Sequence, residues 1–90
     1  MVHIGFDSAK NEKNIRERDL SFERVREFDF DTALFEIDER FDYGETRIRA
    51  LGFIKKRLYA LVFVEIENGI RVISFRKANK REVKQYETKS

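Results

Sequence analysis

Arg71 and Arg76 stand in the stretch Ile70-Arg71-Val72-Ile73-Ser74-Phe75-Arg76, which reads as a strand. Arginine keeps its charge at any working pH, and its planar fork of N–H donors matches the oxygens of a phosphate. In a regular strand these two side chains point to opposite faces. They serve one phosphate only where a bulge or the strand end turns Arg76 inward. Glu45 and Arg47, two residues apart on another expected strand, share a face, which sets a carboxylate base beside a phosphate-binding cation. Lys10 and Arg18 near the amino terminus, and Lys77, Lys80, Arg81 and Lys84 near the carboxyl terminus, are further candidates for phosphate contacts, and Tyr86 is a candidate to donate a proton or stack a base. Each has a plainer role as well: strand arginines and surface lysines often only solvate a face, and a helical tyrosine often packs as core. There is no cysteine and one histidine, His3, so disulfides, thiol chemistry, a zinc site of the usual ligands and a Ser-His-Asp triad are all disfavoured. No cofactor or metal is expected.

The elements that must position these residues follow from hydrophobic periodicity. Val2, Ile4 and Phe6 alternate with His3 and Gly5 as in a half-buried strand, and Asp7-Ser8 offers a cap for a surface helix over 8–18. Asp19-Leu20-Ser21 interrupts that helix. Phe22, Val25 and Phe28 then trace the core face of a second short helix beginning near Ser21. The acidic stretch from Glu27 to Glu45 contains a short strand, Ala33 to Ile37, and a loop, Asp38 to Gly44, expected to be mobile. A strand from Glu45 to Ile54, a turn at Lys55-Lys56 and an apolar run over 58–64 suit a hairpin whose second strand is covered on both sides. Asn68-Gly69 marks a hairpin turn into the strand bearing Arg71 and Arg76. Asn79 and Glu82 form a capping-box variant, with Ala78 and Val83 as its hydrophobic staple, opening a last helix whose narrow apolar stripe is Val83 and Tyr86.

The expected fold is therefore α+β: one domain over 1–90, an antiparallel β-sheet meander with two N-terminal helices and a short C-terminal helix. The meander carries apolar residues in both phases, read as Ile48, Ala50, Val62, Val64 and Val72 on one face and Leu51, Phe53, Leu61, Phe63, Ile73 and Phe75 on the other. A bound protein, a self-dimer or a curled sheet would cover the second face. The chain has 90 residues and a formal net charge of +2, unevenly spread. Residues 1–70 hold 12 basic and 15 acidic side chains, whereas 71–90 hold 7 and 2, so the carboxyl-terminal end is where an anion would be attracted. No apolar run is long enough to span a bilayer and the first residues lack the pattern of a secretory signal, so a cytoplasmic location without membrane contact is expected.

In order, the chain presents Phe6-Asp7, Lys10, Asn14, Ser21-Phe22-Glu23, Gly44-Glu45-x-Arg47, Leu51-Gly52, Arg71-Val72-Ile73-Ser74-x-Arg76-Lys77-Ala78, Glu82 and Tyr86. This spacing resembles the BrnT family of type II toxins over nearly the whole length. The resemblance implies a RelE-like fold, cleavage of RNA that blocks translation, and neutralisation by a BrnA-like antitoxin that also binds DNA to repress the shared operon. DNA would be contacted only through that antitoxin, and either a homodimer or a heterotetramer is compatible with it. Metal-independent RNA cleavage needs a base for the 2′-hydroxyl proton, cations around the phosphate and an acid for the leaving 5′-oxygen. Arg71 and Arg76 are expected to hold the scissile phosphate, with Glu45 and Arg47 assisting. The chain departs from the family pattern at Glu17-Arg18-Asp19, where Lys-His-Gly is usual, at Phe53 in place of an arginine, and at Phe63 in place of an aromatic hydroxyl. Each departure removes a polar group, so two readings stand: an endoribonuclease, or a toxin-fold domain weakened in catalysis that acts through protein binding and operon co-repression.

Overall fold

A computed structural model describes residues 3–40 and 42–89. Val2, assigned above to the first strand, lies outside the described residues. The elements are β1 (His3–Phe6), α1 (Ser8–Arg18), a 3-10 helix (Phe22–Glu27), β2 (Leu34–Ile37), β3 (Ile48–Ile54), β4 (Arg57–Ile66), β5 (Gly69–Lys77) and α2 (Lys80–Lys89). They form one five-stranded sheet in the order β1-β5-β4-β3-β2. The expected antiparallel meander is present from β2 to β5, but β1 joins it parallel to β5, so the sheet is mixed. This non-local pairing carries no short-range turn signal. The second N-terminal helix is a 3-10 helix. Phe22, Val25 and Phe28 recur at a strict interval of three, which a helix with three residues per turn places on one line.

Local caps set the boundaries. The Asp7 carboxylate accepts the Ala9 N–H at 3.2 Å and opens α1, and Asp19 closes it in the left-handed conformation at φ 54°. No residue of α1 is buried, so polar ties hold it in place. The Asn14 amide donates to the carbonyls of Leu20 and Phe75, both at 2.9 Å, and Asn11 Oδ1 accepts the Phe22 N–H at 2.7 Å. These bonds fix the turn from which Phe22 and Val25 descend onto the sheet.

The register of the sheet corrects the assignment of faces. The two-residue turn at Lys55-Lys56, with Lys55 at φ 55°, pairs Ile54 with Arg57, and hence Ala50 with Leu61 and Ile48 with Phe63. Ala50 therefore shares a face with Leu61, Phe63, Val72 and Phe75, and not with Val62 and Val64. A one-residue difference in register moves every side chain to the opposite face. On this first face Ile4, Phe22, Val25, Phe28, Leu61, Val72 and Phe75 close the hydrophobic core. Gly52 is part of the fit, since a Cβ there would meet the Phe28 ring at 2.5 Å. Along β4 and β5, Phe63 pairs with Val72 but Val62 pairs with Ser74, leaving Ile73 as an unpaired bulge. No helix among the described residues is long and apolar enough to cross a membrane.

The tightest backbone approach joins β1 to β5. A Cβ at Gly69 would lie 2.0 Å from the His3 carbonyl oxygen and 2.6 Å from its nitrogen. Gly69→Ala is therefore expected to lower stability by about 1–3 kcal/mol, the usual range for overpacking. Denaturant unfolding measures the loss, and hydrogen exchange should show it concentrated at the β1 amides. Undiminished stability and protection would contradict this packing.

Candidate functional site

The second face of the sheet carries the polar residues. Glu36, Arg49, Val62 and Ser74 lie in one cross-strand row, and Leu34, Leu51, Ala60 and Arg76 in the next. Helix α2 covers one end of this face: Tyr86 meets Phe53 edge-on at 5.3 Å, and its hydroxyl donates to the Thr32 carbonyl at 2.9 Å. The rest is an open cleft of about 430 Å³ with a floor that includes Leu51, Ala60, Val62 and Ile73. Arg40, Arg47, Arg49, Arg76 and Lys89 line it against the carboxylates Glu36, Asp38 and Glu82. Five cations to three anions leave an excess of positive charge in a partly enclosed space, where fields are strongest.

The bulge at Ile73 places both strand arginines on this face. Arg71 lies opposite Val64 and Arg76 opposite Ala60, and both of those β4 residues point away from the core. The two guanidinium groups do not converge, however. Five residues at about 3.3 Å each set their backbones roughly 16 Å apart along a regular strand, and the two guanidinium groups are turned to different carboxylates, Arg71 to Glu45 and Arg76 to Glu82. That corrects the expectation of a shared phosphate site, and each arginine has its own carboxylate.

Arg76 forms a two-pronged pair with Glu82, Nη1 to Oε1 at 2.7 Å and Nη2 to Oε2 at 2.8 Å. Glu82 Oε1 also accepts the Asn79 N–H at 2.9 Å, while Asn79 Oδ1 accepts the Glu82 N–H at 2.8 Å. The expected capping box is thus present, and its glutamate has a second task in orienting Arg76. Hydrogen bonding to Arg76 holds the Glu82 carboxyl below the ordinary range against partial burial, helped by the Asn79 N–H and by the charge of Arg49. The same pair raises Arg76 further above its usual value.

Beside the Arg47 end of the cleft, and outside its lining, Glu45 and Arg71 come together with Arg47. Glu45 accepts from Arg71 Nη2 at 2.7 Å and from Arg47 Nε at 3.3 Å. Arg71 is the larger cause of a lowered Glu45 carboxyl, with Arg47 adding to it. Arg47 also lies 3.9 Å over the Tyr43 ring, whose hydroxyl donates to Asp38 at 3.2 Å. Asp38 is buried at 5% exposure. Its two oxygens accept from Arg40 Nε and Nη2, both at 2.9 Å, which holds the carboxyl far below the carboxylate range. Its N–H donates to the Arg47 carbonyl at 2.8 Å. The loop expected to be mobile is therefore tied at Asp38 to Arg47, the residue before β3.

Arg49 sits between these two ends and was not singled out from the sequence. Its Nη2 pairs with Glu36, and its Nε is buried without a hydrogen-bond partner among the described residues. Ser74, Glu82 and Lys89 also line the cleft and were missed as site residues. The signal for Arg49 was its alternation with Arg47, which only the register turns into a central position. The remaining candidates lie elsewhere. Lys10 and Arg18 are exposed on α1, Lys77, Lys80 and Arg81 are exposed around the start of α2, and none lines the cleft. Tyr86 is engaged in packing and in its bond to Thr32.

A family model described as ribonuclease toxin, BrnT, of type II toxin-antitoxin system matches residues 6–82. No curated protein matches the chain. The matched span holds every strand arginine of the cleft and both Glu45 and Glu82.

The lowered Glu82 carboxyl sets a pH dependence. A folded-state pKa below the unfolded value adds stability above about pH 4.3, and that stability is lost as pH falls through the folded pKa. Glu82→Gln should reduce stability at pH 7 by about 1 kcal/mol after allowance for solvent screening. The gap to the parent chain should narrow as pH falls from 7 through the folded-state pKa. Thermal unfolding across that range checks it, and a gap that persists undiminished in acid would show that the charge is not responsible.

Proposed function

The chain belongs to the BrnT family of ribonuclease toxins of type II toxin-antitoxin systems, and from that premise we propose that a single RNA strand lies across the open face of the sheet and is cleaved there without a metal. The observation that carries this reading is the bulge at Ile73, which brings Arg71 and Arg76 to one face, Arg71 beside Arg47 at one end of the cleft and Arg76 at the other, with the row of Arg49 between them. Four guanidinium groups along this face, three of them lining the cleft, suit successive phosphates of an extended strand. The scissile phosphate belongs at the end where Arg47 and Arg71 flank Glu45, and Arg76 holds a neighbouring one.

In this scheme the 2′-oxygen attacks the adjacent phosphorus, Glu45 takes the 2′-hydroxyl proton, and the bond to the 5′-oxygen breaks as that oxygen takes a proton from water, leaving a 2′,3′-cyclic phosphate. Arg47 and Arg71 stabilise the charge that builds on the phosphate in between. Glu45 is ionised but weakly basic while Arg71 holds it. A phosphate that draws Arg71 away removes the main cause of that shift and adds a negative charge nearby, and both changes raise the basicity of Glu45 as substrate arrives. Lys77, Lys80 and Arg81 add a diffuse attraction for RNA from the carboxyl-terminal end. Blocked translation, neutralisation by a BrnA-like antitoxin that carries the DNA-binding function, a RelE-like fold and a cytoplasmic setting complete the proposal.

The departures from the family pattern bear on this reading through their places in the fold. Arg18 is exposed on α1 outside the cleft, Phe63 is buried at 4% exposure in the core, and Phe53 packs on Tyr86. Two of the three substitutions therefore take nothing from the cleft, and the third supports α2.

Arg71→Ala and Arg47→Ala should each reduce cleavage by about 100-fold, the scale for removing one preorganised donor to a reacting oxyanion, with unfolding transitions close to the parent's. The assay is end-mapping of RNA treated with purified chain freed from its antitoxin, repeated in EDTA to check that no metal is needed. A folded parent chain that binds an antitoxin but leaves RNA intact would transfer support to the co-repressor reading.

A further inference from the structure

The outer edge of the sheet at β2 has a chemistry unlike the cleft. The β2–β3 register places Asp38 with Arg47, Glu36 with Arg49 and Leu34 with Leu51, and the Asp38 N–H donates to the Arg47 carbonyl. In an antiparallel pair the hydrogen-bonded positions alternate. The intervening residues, Phe35 and Ile37, therefore direct their amide and carbonyl groups away from β3, toward the open edge at which the strand order ends. Their side chains, on the core side, run past the cover provided by the 3-10 helix. Phe35 is 50% exposed beside the Phe30 ring, and Ile37 is 58% exposed. Unused strand donors next to exposed large apolar groups make a template for an added strand.

The charge around this edge indicates what adds to it. Of the six carboxylates in residues 29–42, Asp38 is buried against Arg40 and Glu36 faces the cleft, which leaves Asp29, Asp31, Glu39 and Asp42 exposed around the edge. A second copy of this chain would bring the same acidic edge against itself across a two-fold axis, with like charges opposed. RNA is repelled for the same reason. We propose that β2 is the docking edge for an extended, basic segment of the antitoxin, which pairs with Phe35 and Ile37 as a sixth strand, seats alternate apolar side chains beside them, and sets lysines or arginines against Asp31 and Glu39. The proposal rests on the toxin reading for the existence of that partner. It places the partner's segment along the edge of the sheet, beside the cleft.

The test uses two short synthetic peptides of equal length, one alternating lysine with valine and the other alternating glutamate with valine, with the full chain. The lysine peptide should bind and slow hydrogen exchange at the amides of Phe35 and Ile37, more weakly as salt rises, and the glutamate peptide should not. Ile37→Pro removes one outward donor at an edge position that tolerates proline, and should weaken the lysine peptide by up to about tenfold. Ile37→Lys, which keeps the donor but opposes the charge, should weaken it as well. Equal binding of both peptides, protection confined to the cleft, or protection of β2 by self-association without peptide would overturn the proposal. RNA cleavage by the same preparations without peptide reports separately on the ribonuclease reading. A chain that cleaves RNA and ignores the lysine peptide rejects only the docking edge.

Discussion

Ile73 has no partner on β4, and that unpaired residue governs what each face of β5 carries. Without it, the alternation that turns Val72 inward would turn Ser74 and Arg76 inward as well, and Phe75 would leave the core. With it, Val72 and Phe75 both face inward at an interval of three, and both are buried, at 2% and 1% exposure. The same shift sends Arg71 and Arg76 outward together. Core closure and cleft formation are thus two results of one backbone irregularity, and neither can be altered without the other. Bulges are well suited to this because they shift phase while leaving the ladder on either side intact.

Much of this is local and legible in the chain. Asp7, Ser21 and Asn79 cap their helices as their positions suggest, Glu82 returns to the Asn79 N–H, and Phe22, Val25 and Phe28 enter the core. These features depend on contacts a few residues apart. The parts not legible depend on pairings between distant segments. The Lys55-Lys56 turn has neither glycine nor asparagine to announce its geometry, yet it fixes that Ala50 faces the core with Leu61. The pairing of β1 with β5 spans most of the chain, and it shows in the sequence only as Gly69, which the Asn-Gly turn already explains. Asp38 reads as one more charge in an acidic run, although it is the buried residue that ties the loop to β3. Arg49 gains its central place only once both neighbouring registers are set.

The cleft arginines are held in advance by carboxylates, which limits how much binding energy they offer. Arg76 has two good bonds to Glu82, and Arg71 has one to Glu45. A phosphate must displace or share these partners, so affinity per arginine is lower than for a free guanidinium. In return the side chains are already oriented, and less conformational entropy is lost when a ligand arrives. Arg49 differs, because its buried Nε has no partner in this arrangement. An unsatisfied buried donor stores free energy that a suitably placed acceptor would release.

A chain of 90 residues has little surface on which to keep two ligands of opposite sign apart. Here the sheet does so by geometry. Its second face carries the cleft and the excess of arginine, while the exposed acidic groups Asp29, Asp31, Glu39 and Asp42 cluster in sequence around the outermost strand. The two regions meet at Arg40, Arg47 and Arg49, each of which turns a guanidinium toward an acidic residue of the β2 side or of the loop after it. At a Debye length of about 8 Å in physiological salt, charges on opposite sides of this boundary are only partly screened from one another. A basic segment set against Asp31 and Glu39 would leave the Glu36–Arg49 pair in place, while an RNA strand in the cleft would draw that arginine from Glu36 and leave the edge more acidic. Under the proposed function, RNA in the cleft would thus alter the charge presented at the edge through that pair.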